Sequence, residues 1–128
     1  MADVERLGDR IAAAVEREGA DVSWEHPTGS QRILWVTGDD LPTIGVIVAS
    51  GPADVQILCD DFTFESVEAD AAAGVVLELV TGEPRIVERG WIGKALVLQV
   101  TAGRRTYEAA RSGRDAPSGW EARLIARG

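Results

Sequence analysis

The sequence predicts an α+β domain, with about five to seven antiparallel strands in one sheet and two helices packed on it, in the order α-βββ-α-ββ followed by a further strand or helix. Three observations carry this. Short runs rich in Val, Ile and Leu alternate at period two, two stretches switch to helical spacing, and the links between runs are brief and hold Gly, Pro or Asp.

The first helical stretch is Asp3 to Glu18, where Val4, Leu7, Ile11, Ala14 and Val15 fall on one face and Asp, Glu and Arg on the other. Asp3 is placed to cap its start and Gly19 to end it. Asp21 to Glu25 alternates Val22 and Trp24 against Ser23 and Glu25, the pattern of a short edge strand. His26-Pro27-Thr28-Gly29-Ser30 is a loop, because a residue before Pro is pushed out of the helical region. Gln31 to Thr37 reads as the next strand.

Thr43 to Asp61 is the centre of the prediction. Ile44, Val46 and Val48 point one way, Gly45 and Ile47 the other, so both faces are largely apolar and the strand belongs inside a sheet. Gly51-Pro52 stops that run. Asp54 to Asp60 then places Val55, Ile57 and Cys59 on a buried face and Asp54, Gln56, Leu58 and Asp60 on a wet one. Residues 31–60 thus form a three-stranded antiparallel meander.

After Asp60-Asp61 the period changes. Thr63 or Ser66 is expected to cap a second helix running to Thr81, with Glu65, Glu68 and Asp70 at the end where the helix dipole favours negative charge. Gly82 suits the position after it. Arg85 to Arg89 and Ala95 to Thr101 are strands, and Arg105 to Ala110 is a strand or a short helix. Trp120 to Arg127 alternates Trp120, Ala122 and Leu124 against Glu121, Arg123 and Ile125; that favours a last strand, with a helix as the competing form. The order resembles that of the type III secretion chaperones, α-βββ-α-ββ-α. The resemblance is one of topology and implies a partner-binding role.

At 128 residues the chain reads as a single domain over 1–128, able to bury roughly two-thirds of its unfolded surface. Its 45% hydrophobic and 27% charged residues are those of an ordinary globular protein. A single cysteine, Cys59, excludes an internal disulfide and a multi-cysteine zinc site. The acidic start and the lack of an apolar run of about 20 residues predict a cytoplasmic protein with no membrane association. Twelve of the 13 basic residues are Arg, in keeping with a high-GC bacterial source.

Net charge is −8, but unevenly placed: residues 1–83 carry −13 and residues 84–128 carry +5. Such a chain repels phosphate backbones, so nucleic acid is not an expected partner and a basic protein is. The carboxylate pairs Asp39-Asp40 and Asp60-Asp61 sit where strands meet loops. With Glu65, Glu68 and Asp70, and with Trp91 as an aromatic anchor beside a glycine, they are the predicted partner-binding residues.

Other chemistry finds less support. The Asp pairs match no metal motif, although a small metal-dependent enzyme or ligand-binding protein using Asp39/Asp40 and Asp60/Asp61 is the alternative. His26 is a lone histidine in a polar loop and needs a partner to act in acid–base catalysis. Cys59 lies beside two aspartates, which oppose thiolate formation. Arg104, Arg105, Arg111 and Arg114 gather near loops, where pairing with the acidic N-terminal part is expected. No glycine-rich phosphate cradle occurs, and no cofactor is expected. The reading is therefore a non-catalytic domain, immunity-protein-like or secretion-chaperone-like, that binds a basic protein through its acidic surface; a homodimer is the alternative assembly.

Overall fold

Helix α1 (Ala2–Arg17) ends as its sequence dictates. Gly19 adopts φ 89°, its N–H bonds to the Glu16 carbonyl at 3.0 Å, and the Ala20 N–H reaches back to Val15 at 3.2 Å. These two bonds, with buried Val15 and Ala20 in register, make a Schellman stop. Because the helix begins at Ala2, Asp3 lies inside its first turn and is not the cap expected for it. The structure, a computed structural model, describes residues 2–25, 32–38, 41–48, 54–81, 84–90, 95–102, 105–112 and 119–127. His26, Asp39, Asp40, the Gly51-Pro52 turn, Gly82, Trp91, Arg104 and Arg114 lie outside the described residues.

The chain then forms β1 (Asp21–Glu25), β2 (Arg32–Thr37), β3 (Ile44–Val48), β4 (Asp54–Cys59) and β5 (Phe62–Glu68), an antiparallel meander ordered β1-β2-β3-β4-β5. The expected edge strand, the inner position of Ile44–Val48 and the meander over 31–60 all appear. Along β4, Val55, Ile57 and Cys59 are buried, and Gln56 and Leu58 are half-buried. Helix α2 (Ala69–Thr81) leads to a second antiparallel sheet, β6 (Arg85–Arg89), β7 (Ala95–Ala102) and β8 (Arg105–Ser112), and α3 (Gly119–Arg127) follows.

The α+β class with helices packed on antiparallel strands is as predicted; its details differ. The order is α-βββββ-α-βββ-α, with sheets of five and three strands and three helices among the described residues. Residues 62–68, expected to open the second helix, form β5. There Phe62, Phe64 and Val67 are buried, and the register slips between Val55 and Ile57 of β4. Glu65 and Ser66 therefore share one place opposite Gln56, a β-bulge that breaks the period of two. The segment after Gly119 is a helix, because Trp120, Glu121 and Leu124 face inward together at helical spacing.

The two sheets meet along β5 and β8, which run side by side without a ladder. Glu68 pairs with Arg105 at one end, and the Arg111 guanidinium lies 5.7 Å from the Phe62 ring at the other. α2 underlies this seam and packs on β4, β5 and β7. Its buried Ala72, Val75, Val76 and Leu79 join one core with Ile11 and Val15 of α1 and Leu34, Val46, Ile57, Phe64 and Leu98 of the strands. A Cβ at Gly74 would meet the Ala102 Cβ at 3.4 Å, an ordinary contact distance that shows α2 lying directly on β7. No described helix is long and apolar enough to cross a membrane.

Candidate functional site

The pairing register sorts every strand residue onto one of two faces. The inner face, covered by the helices, carries Leu34, Val36, Ile44, Val46, Ile57, Cys59, Phe62 and Phe64. The outer face is crossed by two rows. One runs Glu25, Ile33, Ile47, Gln56 to the Glu65 bulge, and the other runs Ser23, Trp35, Gly45, Leu58, Thr63. Ile33, Trp35, Ile47 and Leu58 are only half-buried and stand apart from the core cluster.

Trp35 is held against this outer face. Its indole Nε1 donates to Glu25 Oε2 at 2.8 Å, and a Cβ placed on Gly45 would fall 2.7 Å from the ring. Only a glycine lets the ring lie so close to β3. The middle of the outer face is thus a half-buried apolar patch three strands wide, with an exposed carboxylate on either side, Glu25 on β1 and Glu65 on β5.

Of the predicted partner-binding residues, Asp60 turns out to hold the fold. It sits at φ 50°, a left-handed conformation that Asp tolerates better than most residues. Its Oδ1 accepts the Thr43 N–H at 3.1 Å and its Oδ2 accepts the Trp120 indole N–H at 2.6 Å. Trp120 is buried against Phe62 with ring centroids 6.0 Å apart. Glu68 pairs with Arg105.

Asp61, Glu65 and Asp70 are exposed and have no ion pair or hydrogen bond among the described residues. The structure does not gather these acids at one point: seven residues of strand, about 23 Å, separate Asp61 from Glu68. Glu65 lies between them on the wall of a groove of about 490 Å³, lined by Thr63–Ser66 of β5 and Arg105–Ala110 of β8.

Three described arginines of the C-terminal half, Arg89, Arg105 and Arg111, are already matched. Arg89 donates to both oxygens of Glu108, at 3.1 and 2.7 Å, and Gln99 donates to the same carboxylate at 2.6 Å. These bonds, the one from Arg89 first, hold the Glu108 carboxyl below the usual range. Arg111 donates to Glu121 at 2.6 Å, and both side chains are almost fully buried, at 5% and 6% exposure. The expected pairing with the acidic part of the chain holds for Arg105, whereas Arg111 is satisfied by α3.

The remaining chemistry is accounted for. Cys59 is buried in the core, and burial first, then Asp60 and Glu121, pushes its thiol far above the ordinary value, which fits the unreactive thiol expected of it. Among the described residues no group of His, Cys, Asp and Glu is arranged to hold a metal. Arg32 stacks over Trp24 at 4.1 Å on the inner face.

No family model, curated protein or solved structure matches the chain. Sequence reasoning passed over Trp35, Ile33 and Ile47, although Leu58, an apolar residue on the wet side of β4, was the signal that pointed to them.

Proposed function

We propose that this chain is a non-catalytic protein-binding domain that takes a basic partner on its acidic surface. The observation that carries the reading is the charge left over after folding. Arg89, Arg105 and Arg111 are taken up by Glu108, Glu68 and Glu121, while Asp61, Glu65 and Asp70 stay exposed without partners among the described residues. With a net charge of −8, the folded chain attracts cations at long range and accelerates their encounter. An immunity protein that blocks a basic toxin and a chaperone that holds a basic segment of a secreted protein are two forms of such a role.

Titration with a small basic protein at rising ionic strength tests the reading. The expected result is an affinity that falls steeply as salt screens the charges, with a Debye length of about 8 Å at 0.15 M. Glu65→Lys combined with Asp61→Lys is expected to weaken it by about tenfold. Binding indifferent to salt, or unchanged in the double variant, overturns the proposal. In a parallel calorimetric titration, Mg²⁺, Ca²⁺, Mn²⁺ and Zn²⁺ are expected to give no heat of binding, since no group of His, Cys, Asp and Glu among the described residues is arranged to hold a metal.

A further inference from the structure

Resting on that reading, we infer that the outer face of β1–β5 is a docking surface for a basic amphipathic helix of the partner. The apolar stripe of that helix seats on Ile33, Trp35, Ile47 and Leu58, and its flanking Lys and Arg reach Glu25 and Glu65.

The residues that would be wet on an ordinary two-layer fold are here apolar. Ile33 stands opposite Ile47, and Trp35 opposite Gly45; Gly45 in turn stands opposite Leu58. These four side chains are half-buried yet lie outside the core, and contiguous apolar surface left partly open and rimmed by polar groups marks an interaction site. Trp35 has its rotation settled in advance by Glu25 and by the bare Gly45 backbone, so little side-chain entropy is lost on docking.

The width selects the occupant. From β1 to β5 is four strand spacings, about 19 Å. A helix about 10–12 Å across, laid along the strands over β3, leaves about 4 Å to each side, a gap that the stem of Lys or Arg spans while its charged head stays in water. A single extended strand would cover one strand spacing and leave most of the patch wet.

Charge selects it further. Glu25 and Glu65 bracket the apolar rows in the same register line, a pattern that complements an apolar stripe with basic flanks. A second copy of the chain brings the same −8 to the interface and meets it with like sign.

The experiment uses two labelled synthetic peptides of about 18 residues, one with Leu at i, i+3, i+4 and i+7 and Lys elsewhere, the other of the same composition with the stripe scrambled. Anisotropy is measured with the whole chain, with Ile47→Glu, with Trp35→Ala and with Glu65→Lys, each checked for its fold by circular dichroism.

The striped peptide is expected to bind about tenfold or more tighter than the scrambled one. That advantage should vanish in Ile47→Glu and Trp35→Ala, and Glu65→Lys should weaken both peptides. Equal binding of the two peptides overturns the docking face and leaves the basic-partner reading standing; binding of neither overturns both. Self-association in sedimentation that Ile47→Glu abolishes, with no advantage for the striped peptide, assigns the face to a second copy and overturns the inference.

Discussion

Asp60 joins three parts of the chain from one position. Its backbone N–H reaches the Thr43 carbonyl at 3.0 Å, one carboxylate oxygen takes the N–H of Thr43, and the other takes the indole of Trp120. Removing the carboxylate in Asp60→Ala strands a part-buried donor on Trp120, and a thermal melt is expected to show a loss of about 1–3 kcal/mol. Asp60→Asn keeps the left-handed backbone affordable and can still accept one of the two bonds, so its loss should be the smaller.

Glu108 titrates more simply. Its carboxyl is lowered by Arg89 and Gln99 in the folded chain, so the stability it supplies is complete above the unfolded value of about 4.3 and is lost as pH falls through the lowered folded value. The difference in melting temperature between the native chain and Glu108→Gln should be largest near neutral pH and shrink on acidification through that window. At this scale the sequence was partly legible. Asp60-Asp61 announced a turn, but nothing local could link Asp60 to an indole 60 positions further on.

At the scale of elements, legibility followed the regularity of the pattern. α1 and the β2-β3-β4 meander were readable because one period ran unbroken through each and Gly19 marked a stop. β5 was hidden by its own bulge: Phe62 and Phe64 obey an alternation that the doubled place of Glu65 and Ser66 resets before Val67. With Thr63, Ser66 and the acids looking like a helix start, the helical signal of 69–81 was extended too far.

α3 was misjudged for a related reason. Over nine residues a period of two and a period near four compete, and the deciding inward group, Glu121, is charged. Its burial is made tolerable by Arg111. Glu121→Ala leaves that guanidinium buried without its carboxylate and is expected to cost about 3–5 kcal/mol in denaturant unfolding, whereas Arg111→Met with Glu121→Leu should recover most of it. Gly19→Ala, which puts a side chain at φ 89°, is expected to cost about 1–2 kcal/mol in the same measurement.

For the molecule as a whole, composition and charge set the class but not the division into sheets. The acids of 1–83 were expected on one exterior patch. The chain instead spreads its described acids over α1, β1, β4, β5 and α2, commits Asp60 and Glu68 to internal bonds, and leaves on the outer face a half-buried apolar surface that the charge count does not report. Of the inferred docking face, Glu65 was readable as charge, and Glu25 was read only as the end of an edge strand. Its apolar part, Trp35 with Gly45, depends on which strand lies beside which, and two residues ten apart in sequence meet only through register.

The seam between β5 and β8 has a consequence for how the molecule comes apart. Elsewhere neighbouring strands are zipped amide to carbonyl, while along this line no ladder joins the described strands, and Glu68 with Arg105, Arg111 over Phe62 and the helix beneath help to bridge the halves. Backbone protons of 63–67 and 106–110 that point across it should trade for deuterium well ahead of those in β3 and β7. Under a pulling force the eight-stranded surface is expected to tear there first, parting into a five-stranded and a three-stranded piece.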